Sequence, residues 1–99
     1  MSEARLDRKA SGEFALVGDL SFASVPGLVG LGASLFEGVD ASRLDLSQVA
    51  RSDSAGLALL VSWVRLARQQ GKQLRFEQIP SQLLGMARVS GVDHLLTNS

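Results

Sequence analysis

Cysteine is absent from the 99 residues, which excludes disulfides and thiolate metal sites and suits a reducing compartment. Histidine occurs once, at His94, with no serine, aspartate or metal-ligand pattern at a recognisable spacing around it. It reads as a surface or structural residue. An excess of either charge is also missing, because ten basic and ten acidic residues cancel. That argues against non-specific nucleic-acid binding, which needs a basic footprint. No apolar run approaches the roughly 20 residues that cross a bilayer, so direct membrane insertion is not expected. The opening stretch, MSEARLDRKASGEF, is charged and lacks the apolar segment of a secretory leader. The expected location is therefore cytoplasmic.

The composition that remains is that of a globular domain, 45% hydrophobic and 20% charged. A chain of this length makes one domain, residues 1–99, with 1–4 expected to be flexible. Arg5–Lys9 and Glu13–Val17 read as strands joined across Ala10-Ser11-Gly12 in a hairpin. Ser24–Phe36 reads as a helix. Ser24 is its candidate cap and Pro26 lies in its first turn, with Val25, Leu28, Val29, Gly32, Leu35 and Phe36 on one face. Gly27, Gly30 and Gly32 each cost it about 1 kcal/mol against alanine, so it should be the least stable element.

Arg43–Leu46 reads as a short strand. The strongest helix follows, from Ser54 to Gln70, ended by Gly71. Leu57, Leu60, Val61, Val64 and Ala67 form a stripe fit to lie on a sheet. Leu59, Trp63 and Leu66 form a second stripe on roughly the opposite side. Either flanking helices cover that stripe, or part of it, Trp63 above all, is an exposed partner surface. Gln73–Glu77 alternates as a strand with Leu74 and Phe76 inward. Pro80 opens another helix with Leu83, Leu84 and Ala87 on its buried face, closed at Ser90-Gly91. Val92–Leu96 is a last short helix or strand. Strands alternating with helices give an α/β fold: about four main strands, with helices mainly on one face.

Chemistry-bearing patterns are few. Gly27-Leu28-Val29-Gly30-Leu31-Gly32 lies in a helical pattern and lacks the Lys-Ser/Thr ending of a phosphate loop. Asp19, Asp45 and Asp53 each suit a strand end or a helix cap. With no nucleophile–base pair and no metal set, the expectation is a non-catalytic protein without cofactor or metal. Arg65, Arg68, Lys72 and Arg75 occur between Ser54 and Phe76 with no acid among them. They form either a solvated face or a surface for an acidic partner.

The most informative spot is Asp53-Ser54-Ala55-Gly56 at the mouth of the long helix. It sets a hydroxyl beside a carboxylate where unpaired N–H groups and the positive dipole end lie. A phosphate on Ser54, or a partner's acidic or carbonyl group, would find donors there. Ser52, Asp53 and Ser54 are all candidates for a plain helix cap as well.

The frame around that spot resembles the STAS family, the sulfate-transporter and anti-sigma-factor-antagonist domain. Leu16-Val17-Gly18-Asp19-Leu20 is similar to the family's L-x-G-E-L-D segment. Leu44-Asp45-Leu46-Ser47-Gln48-Val49 resembles its hydrophobic-D-hydrophobic-S strand. Asp53-Ser54-Ala55-Gly56-Leu57 resembles its D-S/T-x-G-L helix start. Gln70-Gly71-Lys72 and Arg88-Val89-Ser90-Gly91-Val92 resemble its two later glycine turns. Ala55 stands where many antagonists have Ser or Gly, and Leu20 is followed by Ser21 instead of Asp. Gly56–Leu60 and Leu66–Gly71 look most like the MlaB branch.

The resemblance implies a STAS-like single domain with a mixed sheet that binds a protein and does no chemistry. It implies contact through Asp53, Ser54, Ala55, Leu57 and Ala58, with Trp63 added from the second stripe. Ser54 stands at the position that partner kinases phosphorylate in the switching antagonists. For the MlaB branch the implied partner is the ATPase subunit of a phospholipid-trafficking ABC transporter that maintains outer-membrane lipid asymmetry. For the antagonist branch it is an anti-sigma kinase.

Overall fold

The computed structural model describes residues 4–97. The expected flexibility of the first residues thus falls, for 1–3, outside the described residues. Four strands, β1 (Arg5–Ala10), β2 (Glu13–Leu20), β3 (Ala41–Ser52) and β4 (Gln73–Glu77), form one sheet in the order β1-β2-β3-β4. β1 and β2 pair antiparallel as the expected hairpin, with Leu6 opposite Leu16. β2, β3 and β4 run parallel, so their links must cross over one face of the sheet. The helices on those links are α1 (Ser54–Gln69) and a pair of 3-10 helices (Val25–Gly27 and Val29–Phe36). Beyond β4 lie α2 (Ser81–Val89) and α3 (Asp93–Thr97), so Val92–Leu96 resolves as helix, with Leu96 in the core.

The helices leave one sheet face open, where Glu13, Arg43 and Arg75 align across three strands. Arg43 pairs there with Glu13 and lies 3.9 Å from Glu77. On the covered face Leu16, Leu44, Leu46, Leu74 and Phe76 meet the helices. The α/β mixed sheet with helices on one side is as the sequence led one to expect.

β3 is 12 residues long where the alternation suggested only Arg43–Leu46. Its second half does not alternate because two bulges interrupt the pairing with β2. One falls between the pairs Ala15–Asp45 and Val17–Gln48 and adds a residue on β3. There Asp45 accepts hydrogen bonds from Ser47, at 2.8 Å from its backbone nitrogen and 3.1 Å from its hydroxyl. The Asp-x-Ser spacing is therefore a local turn that takes up the extra residue. The bulges carry β3 on to Ser52, beside the end of β2, and this positions the start of α1.

Ser24–Phe36 is not one α-helix. Val25 and Leu28 are buried three residues apart, as are Gly32 and Leu35, which is the 3-10 period. The join at Leu28 shifts the phase, so Val29, expected inward, is 50% exposed. Ser24 makes no side-chain cap. Its hydroxyl instead donates to the Asp19 carbonyl at 2.7 Å and accepts from the Ser21 backbone at 2.9 Å.

This 3-10 segment also overturns the exposed reading of Trp63. The indole is 1% exposed and donates from Nε1 to the Val29 carbonyl at 3.4 Å. Gly32 makes the cover possible, since a Cβ there would sit 2.7 Å from Trp63 Cδ1. Leu59 and Trp63 of the second stripe are thus core, while Leu66 at its far end is half-buried. The sheet buries one side of the helix and the 3-10 segment buries the other.

Candidate functional site

The site is built where β2 and β3 end together and α1 begins. Asp53 is extended (φ −101°, ψ −170°) and caps α1, its Oδ1 accepting from Ala55 N at 2.8 Å. Its Oδ2 accepts from the backbone N–H of Phe22, 31 residues earlier, at 3.2 Å. Its own N–H donates to the Leu20 carbonyl at 3.0 Å. One residue therefore fastens the helix start, the end of β2 and the loop after it. Ser52, buried behind Asp53, donates its hydroxyl to the Asp53 carbonyl at 3.1 Å.

Gly56 sets how near α1 comes to the sheet. A Cβ at this position would lie 2.2 Å from Ser52 Oγ and 2.7 Å from Leu20 Cβ. The glycine of the Asp-Ser-x-Gly-Leu string is thus required by backbone approach.

Ser54 follows the cap as the first residue of α1, and it is exposed. Its hydroxyl takes no hydrogen bond among the described residues, so it is open to an incoming group. Ala58, one turn on, is exposed as well, and Ala55 is half-buried. Two of the expected contact residues lie elsewhere. Leu57 is only 7% exposed and Trp63 is core. Leu57 heads the stripe that faces the sheet, so helix periodicity itself turns it away from solvent.

Phe22 was not among the residues singled out from the sequence. It is 73% exposed, beside the start of α1 through its bond to Asp53. A lone phenylalanine between serine and alanine gives no periodic signal, and its exposure follows from the three-dimensional tie to Asp53. Val29 and Leu31 are also exposed on the same β2-to-β3 connection.

The basic run divides among separate places. Arg65 and Arg68 are exposed on α1, and Arg75 lies on the open sheet face. Lys72 donates to the Val39 carbonyl at 3.0 Å and to Asp40 at 3.3 Å, tying α1's end to the start of β3. His94 is exposed on α3. Among the described residues no cluster of three His, Cys, Asp or Glu side chains could hold a metal ion. No described helix is long and apolar enough to cross a membrane.

A parallel sheet with a hairpin edge, helices on one face and a serine opening the helix after the bulged strand define a STAS-type domain. The family model described as "Mlab, STAS domain" matches residues 5–97, and the chain belongs to that family. Among solved structures, it is similar to the anti-sigma factor antagonist SpoIIAA in its unphosphorylated form. That match has a TM-score of 0.71 at 12% identity, covering 97% of this chain and 87% of the other. The Bacillus cell fate determinant SpoIIAA in the phosphorylated form matches with a TM-score of 0.69 at 14% identity, covering 97% and 90%. A structure of Mglu matches with a TM-score of 0.58 at 20% identity, covering 79% of this chain and 20% of that one. At these identities the likeness is one of fold. No curated protein matches the chain.

Proposed function

We propose that this chain is a non-catalytic accessory protein that docks on the ATPase subunit of an ABC transporter. The transporter is one that moves phospholipid and maintains outer-membrane lipid asymmetry. The chain would be cytoplasmic, held at the inner membrane only through its partner. The family description supports this partner class. The observation that carries the docking site is the exposed Ser54 on the first turn of α1, next to exposed Phe22, both fixed by Asp53. A small hydroxyl admits a close backbone, and the cap holds it in one place. Ala58 extends the contact along the helix, while Ala55 supports it from beneath.

Replacing Ser54 by glutamate sets a second carboxylate beside Asp53 and adds bulk at the point of closest approach. Ser54→Glu is expected to weaken copurification with the ATPase without unfolding the chain. Unchanged copurification counts against this site.

A second reading rests on the same hydroxyl. An exposed serine at a helix start can be phosphorylated, and the two SpoIIAA structures are of an unphosphorylated and a phosphorylated form. Phosphate would add about −1.5 to −2 charge next to Asp53 and repel an acidic partner. The chain would then be an antagonist regulated by an anti-sigma kinase. Incubation with a neighbouring kinase and ATP, followed by phosphosite mapping, separates the readings: phosphoserine at Ser54 favours the switch.

A further inference from the structure

On the sheet face that carries no helix, charges of one sign stand side by side across the strands. Arg43 on β3 lies directly opposite Arg75 on β4. Two residues further along the same strands, about 6–7 Å away, Asp45 lies opposite Glu77. Like charges set directly opposite each other weaken a strand pair. Arg43 is relieved by Glu13 and, at 3.9 Å, by Glu77. Arg75 is exposed and Asp45 half-buried, and neither has an ion-pair partner among the described residues. The same order of signs recurs on β1. Lys9 lines a hollow with Glu13 and Arg43, and Asp7 lies opposite Ala15, in the row of Asp45 and Glu77. The open face is thus a basic row, interrupted by Glu13, beside an acidic row, interrupted by Ala15.

Two such rows are complementary to themselves. A second copy, turned by half a revolution about an axis that crosses the strands midway between the rows, lays its acidic row on the first copy's basic row. Arg75 then faces Glu77 of the second copy, Arg43 faces its Asp45 and Lys9 faces its Asp7, and the two-fold axis repeats each pair. Glu13 falls over Ala15, so no like charges meet on β2. Sheets stacked face to face lie about 10 Å apart and inclined by about 30°, a gap that a long cation and a carboxylate span from opposite sides. The inverse order of signs is what relieves Arg75 and Asp45, and the chain's own face supplies it.

We propose that the open sheet face pairs with the same face of a second copy of this chain, basic row on acidic row, in a weak two-fold dimer. Four strands span only about 14 Å, so the contact is smaller than the roughly 1,200 Å² of stable complexes, and the dimer assembles at roughly 100 μM and above. Its pairs are exposed at the rim, so salt weakens it. The inference does not rest on the docking reading above. α1 lies on the opposite side of the sheet, and Ser54 stays free in the dimer.

Sedimentation velocity of the full chain, from about 10 to 500 μM in low salt, reads the association, and high salt is expected to weaken it roughly fivefold or more. Arg75→Glu and Glu77→Arg are each expected to abolish it, because each sets like charges face to face. A mixture of these two variants associates, since each supplies the sign the other lacks, and the double exchange Arg75→Glu with Glu77→Arg associates with itself. Circular dichroism checks the fold of every variant. Where Glu77→Arg does not fold, Lys9→Glu and Asp7→Lys make the same exchange on β1. Amide NMR shifts on dilution are expected at Arg43, Asp45, Arg75 and Glu77 and not along α1. A chain that stays monomeric at the highest concentration in low salt overturns the proposal. So do association that salt leaves unchanged, dilution shifts confined to the helices, and a variant mixture that stays monomeric. The docking reading is tested apart from all of these, by ATPase copurification with Ser54→Glu.

Discussion

The Asp53 carboxylate binds two backbone N–H groups from distant parts of the chain, that of Ala55 at 2.8 Å and that of Phe22 at 3.2 Å. One oxygen starts α1 and the other holds the loop that presents the exposed phenylalanine. Stability and partner surface are thereby coupled through one side chain.

Asp53→Ala removes both bonds. Loss of a helix cap costs about 1 kcal/mol, and the freed Phe22 N–H adds little because its loop reaches water. Urea unfolding is expected to show destabilisation of about 1–2 kcal/mol. Asp53→Asn keeps two acceptor lone pairs but only one oxygen, so it can cap Ala55 or hold Phe22 but not both. An unchanged midpoint for Asp53→Ala would show that the cap is idle.

Gly56→Ala tests the close approach of α1 to the sheet. In an open helix position the change would stabilise by about 1 kcal/mol. Here the added methyl meets Ser52 Oγ at 2.2 Å and Leu20 Cβ at 2.7 Å. Ser52 is buried and Leu20 is core, so neither can step aside freely. Overpacking of this kind costs about 1–3 kcal/mol, and the net sign is expected to reverse. Thermal unfolding reads the outcome directly: a lower Tm supports the packing, and a higher one refutes it.

Much of this was legible in the chain before any coordinates. Hydrophobic spacing placed α1, β4 and α2 within a residue or so of where they lie, because one strong face governs each. The Asp-Ser-x-Gly-Leu string marked the helix start because capping and close approach are local demands. Other features were not legible, among them the second half of β3, whose alternation is lost where the pairing with β2 bulges. The 3-10 segment has the apolar content of an α-helix, and only its packing over Trp63 selects the tighter period. Trp63 was open to two readings because a helix alone does not reveal which sides its neighbours cover, whereas Leu57, set on the sheet-facing stripe by its own spacing, entered the contact set only through the family resemblance. Phe22 escaped notice for the reverse reason, since nothing local distinguishes an exposed phenylalanine from a core one.

The cover over Trp63 can be probed with the chain's single tryptophan. Gly32→Ala puts a methyl 2.7 Å from Cδ1 and 2.8 Å from Nε1 of the indole. The 3-10 helix, with its glycines and short hydrogen-bonded runs, is the softer partner and is expected to lift. Water then reaches the indole, and its fluorescence maximum moves to longer wavelength. Gly30→Ala, where a Cβ meets nothing within 4 Å, is the matched control and leaves the spectrum in place. Equal spectra for the two variants would show that Gly32 is not a contact point.

Phe22 separates docking from folding. Its side chain is 73% exposed, so truncation removes little buried area, and Phe22→Ala is expected to shift stability by less than about 0.5 kcal/mol. Aromatic residues that a partner buries at the centre of a contact are worth about 2 kcal/mol or more, a loss of some thirtyfold in affinity. Phe22→Ala should therefore leave the unfolding curve in place and weaken ATPase binding by about that factor. Asp53→Ala, which frees the Phe22 loop without removing the ring, should weaken binding less than Phe22→Ala does. If Phe22→Ala binds as the native chain does, the contact lies on α1 away from the loop. If the ring matters and Asp53 does not, then Phe22 finds its place on the partner without being held there beforehand.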